Sequence, residues 1–93
     1  MTRDFHGPHA ADGGSDAEPI DWRDPLPRFG RVRVLRHTCG CRARVYEFCA
    51  AAGLAWIRRT HRSPTVVIVE ESRPTSHGEV TQLWEKLLSG EAE

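Results

Sequence analysis

Three cysteines and a histidine lie close together in this chain. His37, Cys39, Cys41 and Cys49 form H-x-C-x-C-x7-C. Soft thiolates and an imidazole are the donors that zinc takes in tetrahedral sites. A C-x-C pair on a turn can bring both sulfurs to one ion, with Cys49 and either His37 or His61 completing the set. The common knuckle is C-x2-C with a matching second pair, and this chain departs from it. On the alternative reading Cys49 is a small core residue and the turn thiols are incidental. A third reading makes Cys39 and Cys41 a redox pair, because neighbouring arginines favour thiolates. An odd cysteine count argues against a disulfide framework.

The arginines are the second group with chemistry. The formal net charge is zero, but it is a sum of unlike blocks: −4 over residues 1–27, +8 over 28–62 and −4 over 63–93. Two readings follow. In one, Arg31, Arg33, Arg42, Arg44, Arg58 and Arg59 form a phosphate-binding surface, with Tyr46, Phe48 or Trp56 stacking or packing beside them. In the other, the arginines are neutralised inside the fold by carboxylates of the helix and tails. Arginine forks suit phosphate, but Ala-, Arg- and Gly-rich usage also reflects a GC-rich genome. Catalysis finds little footing. No serine has a nucleophile-elbow context, and no Gly-rich loop follows a strand to cradle a phosphate.

These residues need elements to position them. Residues 1–28 read as a disordered acidic tail rich in Pro and Gly. Within it Ile20, Trp22 and Leu26 are apolar, and Trp22 and Leu26 are candidates for docking a partner or for lying over the domain's own sheet. Residues 29–93 read as one small α+β domain. Arg31-Val-Arg-Val-Leu-Arg36 and Arg42-Ala-Arg-Val-Tyr-Glu-Phe48 both alternate and read as a hairpin around Gly40. A two-residue loop would set Arg31 opposite Phe48 and Arg33 opposite Tyr46, and a one-residue slip would undo that face.

The stretch 49–62 reads as strand–turn–strand around Gly53, with a helix as the alternative. Thr65-Val-Val-Ile-Val69 is too continuous for one-sided burial and is expected as a central or covered strand. An exposed edge strand elsewhere in the sheet could pair two chains into a homodimer.

The C-terminal segment carries the clearest signal. Ser76 is an N-cap, Glu79 completes a capping box, and Val80, Leu83, Trp84, Leu87 and Leu88 form one apolar stripe. Gly90 is a stop. The expected architecture is an antiparallel meander of three or four strands with this amphipathic helix packed on it. The 93 residues allow one small domain. No run approaches the roughly 18–20 apolar residues of a membrane span, and the N-terminus lacks a leader's apolar segment, so the expected compartment is the cytoplasm.

Cys39-Gly-Cys41 with Val45-Tyr-Glu-Phe-Cys49, then Ala51-Ala-Gly-Leu-Ala-Trp-Ile-Arg-Arg-Thr60 and Leu83-Trp-Glu-Lys-Leu-Leu-Ser-Gly-Glu-Ala92, resembles a group of small uncharacterised actinobacterial proteins. The resemblance covers roughly residues 37–92. Members of the group tend to have Ala-Gly-Gly where this chain has Ala51-Ala52-Gly53. The resemblance implies a bacterial cytosolic protein and no activity. The helix after a strand, ending in a Trp-Leu-Leu stripe, is also similar in layout to small actinobacterial partners of helix-turn-helix regulators.

The expected function is that of a non-enzymatic regulatory or accessory protein: an interaction module with a protein partner, such as a transcriptional regulator, and no resident cofactor. The alternatives are a DNA- or RNA-binding accessory protein using the arginine surface, and a small structural zinc protein using His37, Cys39, Cys41 and Cys49.

Overall fold

The computed structural model describes residues 8–11, 16–26 and 31–93. The alternating segments become four antiparallel strands: β1 (Arg33–His37), β2 (Arg44–Ala51), β3 (Leu54–Arg62) and β4 (Val67–Glu71). They lie in chain order as a meander, β1-β2-β3-β4, and a single helix, α1 (His77–Ser89), follows. The expected α+β architecture is therefore the observed one. Among the described residues no helix is long and apolar enough to cross a membrane.

Strand alternation assigns the two faces. On β2, Tyr46 and Phe48 point to one side; their partners across the pair are Arg59 and Ile57. That side receives the helix. Tyr46, Phe48, Ala55, Ile57, Val80, Trp84 and Leu87 form the core cluster. Phe48 meets Trp84 edge-on, with ring centroids 6.0 Å apart. The opposite face carries Val45, Cys49 and Trp56, all buried.

The hairpin register differs from the two-residue expectation. β1 stops at His37 and β2 begins at Arg44, so the connection takes Thr38–Ala43. Arg33 pairs with Ala50 and Arg36 with Phe48, and the register shifts between Val34 and Arg36. This bulge resets the alternation along β1. The proposed pairings Arg31–Phe48 and Arg33–Tyr46 do not form. By contrast, the strand–turn–strand reading of 49–62 holds. Ala52 (φ 51°) and Gly53 (φ 79°) both adopt left-handed backbone, as a two-residue turn with mirror-image geometry demands.

β4 overturns the expectation of a covered central strand. It is the last strand of the meander and pairs with β3 alone among the named strands. Val66, Val67 and Ile68 are exposed. Among the described residues only its far end is capped: Glu71 exchanges both backbone hydrogen bonds with Arg23, at 2.8 Å each. Antiparallel alternation then points the N–H and C=O groups of Val69 and Val67 outward as well.

The helix follows its sequence signals closely. Ser76 Oγ accepts from the Glu79 amide at 3.2 Å. The Glu79 carboxylate accepts from the Thr75 hydroxyl at 2.7 Å, so Thr75 takes the place of the Ser76 amide in the capping box. Gly90 ends the helix at φ 82°.

Of segment 1–28, the described stretches lie against the domain. The Ala11 amide donates to the Leu88 carbonyl at 3.0 Å, the Glu18 amide donates to the Glu91 carbonyl at 2.8 Å, and the Glu18 carbonyl accepts from the Glu93 amide at 2.9 Å. Ile20 and Trp22 pack on the core cluster. Residues 1–7, 12–15 and 27–30 lie outside the described residues.

Candidate functional site

The Thr38–Ala43 connection is built on its own hydrogen bonds. The Thr38 amide donates to the Tyr46 carbonyl at 2.9 Å, and Thr38 Oγ1 accepts from the Tyr46 amide at 2.9 Å. These bonds anchor the turn on β2 and bury Cys39 while Cys41 stays exposed. The Cys39 amide donates to the Pro8 carbonyl at 2.9 Å. That bond helps to set the next residue, His9, over the turn.

Three ligand atoms converge there. The Cys39 thiol donates to Cys41 Sγ at 3.2 Å, and His9 Nε2 lies 3.2 Å from Cys41 Sγ. The ligand atoms of His9, Cys39 and Cys41 all lie within 4.8 Å of one another, so this group could hold a metal ion. Arg42 Nη2 is 3.4 Å from His9 Nδ1. A guanidinium only donates, so Nδ1 accepts and the ring proton sits on Nε2, facing the sulfur. Once Cys39 is the thiolate of the pair, the hydrogen bond Cys41 donates to it and its charge push the Cys41 thiol above its ordinary range, and the Arg42 charge opposes that shift. The site opens into a cleft of 280 Å³ that also touches Arg44 and His61.

The C-x-C pair is thus where the sequence places it, but the rest of the expected ligand set is not. His37 Nδ1 lies 3.0 Å from the Thr38 carbonyl, and His37 pairs with Glu47 on the face away from the helix. Cys49 is fully buried on that same face, its thiol 3.9 Å from the Glu47 carbonyl. Neither joins the group of His9, Cys39 and Cys41. The third donor, His9, is thirty residues away, and no spacing rule links it to the cysteines. Among the described residues, the Cys39 amide's bond to the Pro8 carbonyl and the Ala11 amide's bond to the Leu88 carbonyl bring it in.

The arginine set divides. Arg58 Nε donates to Glu47 Oε1 at 2.8 Å, a contact that raises its affinity for the proton. Arg59 pairs with Glu70, and its guanidinium lies 4.3 Å from the centre of the Trp22 ring. The neutralising carboxylates therefore come from neighbouring strands; the described tail acids Asp21 and Glu18 pair with Arg23 and Lys86 instead. Arg31 and Arg33 border a hollow beside the Ala50–Leu54 turn and His77, at the end of β2 remote from Arg42 and Arg44. Tyr46 and Phe48 are 5 % and 2 % exposed. They lie in the core and present no ring for stacking on a base, as Trp56, also buried, does not.

The two candidate docking residues differ. Trp22 lies over Tyr46, with ring centroids 5.9 Å apart, and its Nε1 donates to the Glu93 carbonyl at 3.3 Å. It serves the chain's own fold. Leu26 is exposed, while its amide donates to Glu71 Oε1 at 3.2 Å. No family model, no curated protein and no solved structure matches this chain, so its function is read from its own side chains.

Proposed function

We propose that this chain is a small non-enzymatic interaction module of the bacterial cytoplasm that assembles through the outer edge of β4, and that the strand it adds is β4 of a second copy. The observation that carries this reading is the exposure of Val67 and Ile68 on the edge strand, at 62 % and 50 %, and of Val66 just before it, at 50 %. Isolated exposed apolar residues are ordinary, but a β-branched run on an uncovered strand edge is a template for pairing.

The open edge is short and self-complementary. It runs over Val67–Val69, between the Arg23–Glu71 bridge and the turn where the Ser63 amide donates to the Val66 carbonyl at 2.8 Å. A two-fold axis at Ile68 sets Val67 against Val69 of the second copy, and the reverse. The outward backbone groups of both residues then bond in pairs, and Ile68 meets Ile68 in a close non-bonded pair. Antiparallel pairing also sends Glu70 and Glu71 of the two copies to opposite ends, whereas parallel pairing would stack like charges.

Sedimentation of the full chain tests this. Wild type is expected to sediment as a dimer at about 100 μM, where a contact of roughly −7 kcal/mol is mostly formed. Val67→Pro removes an outward N–H that no described residue bonds, a change edge strands tolerate. Together with Ile68→Lys it is expected to give a folded monomer by circular dichroism. A wild-type monomer at that concentration, or dimerisation unaffected by both changes, overturns the reading. Stable capture of an unrelated strand-bearing protein by a monomeric chain would replace the second copy with that partner.

A second reading, a small zinc-binding protein, is favoured by the His9, Cys39 and Cys41 cluster. Two thiolates and an imidazole suit zinc over hard cations, and reduced thiols suit a cytosolic setting. The nucleic-acid reading retains Arg31, Arg33, Arg42 and Arg44 but has lost its stacking aromatics to the core.

A further inference from the structure

We infer that a thiophilic divalent cation bound by Cys39 Sγ, Cys41 Sγ and a ring nitrogen of His9 acts as a clasp that fastens the N-terminal segment to the sheet. This rests on the zinc reading of that cluster and goes beyond it by assigning the ion a task, the fastening of one part of the chain to another.

The geometry is close to what such an ion requires. Tetrahedral bonds of about 2.3 Å to sulfur and about 2.0 Å to nitrogen separate neighbouring donors by roughly 3.5–3.8 Å. The donors here are 3.2 Å apart in the two hydrogen-bonded pairs, and none is more than 4.8 Å from another. The two hydrogen-bonded pairs therefore need to spread by roughly 0.3–0.6 Å around an ion, while Cys39 Sγ and the His9 nitrogen must settle at roughly 3.5 Å from each other. Cys41 and His9 are exposed, which gives the ion an entry path and leaves a fourth position toward the cleft for water or an added ligand. Three protein donors with one open position is an accepted zinc arrangement.

The ligands come from two parts of the chain. Cys39 and Cys41 belong to the turn that the Thr38 bonds fix to β2. His9 belongs to a segment held at this point by Pro8–Cys39 and Ala11–Leu88 backbone bonds. An ion shared between them closes a loop of about thirty residues, and closing a long loop restricts the unfastened chain strongly. Binding at Nε2 also moves the ring proton to Nδ1. Arg42 then loses its acceptor and turns to solvent. Each thiol that binds gives up its proton to water as the metal–sulfur bond forms, with no change of oxidation state.

The test uses the full chain, reduced and purified without a histidine tag. Cobalt(II) is titrated in as a spectroscopic stand-in, and zinc(II) is then used to displace it. The expected result is one ion per chain, with a sulfur-to-cobalt charge-transfer band and the visible bands of a tetrahedral ion. His9→Ala is expected to weaken binding by more than the roughly 10–100-fold lost with an outer-shell partner. Cys41→Ser should weaken it too, and His37→Ala should leave it unchanged. Hydrogen exchange supplies the second readout: zinc slows exchange of the Ala11 amide in wild type and not in His9→Ala. If the bands form but neither they nor the Ala11 exchange respond to His9→Ala, the clasp is overturned while the zinc reading stands. If no bands form, both fall.

Discussion

Cys41 shows how one neighbour decides a side chain's chemistry. Its thiol is exposed, yet beside Cys39 its own proton is harder to remove than that of a free cysteine, and Arg42 offsets only part of this. The thiolate is the nucleophile, so in the metal-free protein the alkylation rate of Cys41 should reach half its plateau above the free-cysteine value of about 8.5. Cys39→Ala should bring that midpoint down, and Arg42→Ala should move it further up. Site-resolved mass spectrometry after iodoacetamide pulses checks this, and a midpoint at or below the free value contradicts it. The same residues mark the limit of reading a site from sequence. The turn, its glycine and the two thiols are local, and local pattern revealed them. His9 enters through long-range backbone bonds at Pro8 and Ala11, which leave no trace in spacing. His37 looked suitable because it is near in sequence, but the turn's bonds to β2 send it to the other face. Trp22 belongs to this scale too. It is pinned between Tyr46 and Arg59 and is half-buried, so Trp22→Ala should cost about 2 kcal/mol, roughly half the loss for a fully buried aromatic. Urea unfolding measures it.

At the level of elements, the helix and the β2–β3 turn were the most legible because their signals are local. Ser76, the apolar stripe and Gly90 act within a few residues of themselves. Trp84 is 2 % exposed beneath that stripe, so Trp84→Ala should cost about 3–5 kcal/mol, enough to unfold much of a small domain at room temperature by calorimetry or denaturant. The turn offers the opposite prediction. Ala52 holds φ 51°, a conformation that strains a β-carbon and that asparagine tolerates better. Ala52→Asn should therefore raise stability by about 0.5–1 kcal/mol, read as a higher denaturation midpoint at unchanged slope. Register and sheet position were less legible. The β1–β2 pairing depends on a bulge near Leu35 and on a six-residue connection, and neither carries a distinctive residue pattern. β4 reads as a covered strand because its apolar run is continuous. The run describes what the strand could bury and says nothing about what is available to cover it. With four strands in chain order, the last is an edge, and the described part of the N-terminal segment bonds it at Glu71 alone.

For the whole molecule, the question raised by the −4, +8, −4 pattern is whether the central arginines act together on a partner's phosphates or are consumed in holding the fold. The structure places them in two roles. Arg58 and Arg59, in the middle of β3, are held by Glu47 and Glu70 across the strand pairs, and Arg59 also holds Trp22. Arg31 and Arg33 lie toward one end of β2 and Arg42 and Arg44 toward the other. Arg33 pairs with Ala50, six residues along β2 from Arg44, which at a strand's rise is about 20 Å. The block is therefore not one patch: its centre is structural and its ends are separate. This separation yields a prediction that distinguishes the two roles. Arg58→Gln and Arg59→Gln should each lower stability, by about 1 kcal/mol for these partly exposed pairs, and Arg59→Gln should in addition loosen the N-terminal segment, seen as faster exchange of the Arg23 and Glu71 amides. Neither should change the salt dependence of any affinity for duplex DNA, because a paired guanidinium displaces no counterion from the duplex. Arg33→Gln and Arg44→Gln should behave in the reverse sense, leaving stability nearly unchanged and flattening the log–log salt slope by about 0.9 each wherever binding is detectable. If Arg58→Gln or Arg59→Gln flattened that slope instead, the pairs with Glu47 and Glu70 would have to open for a polyanion, and the arginine block would be a binding surface after all.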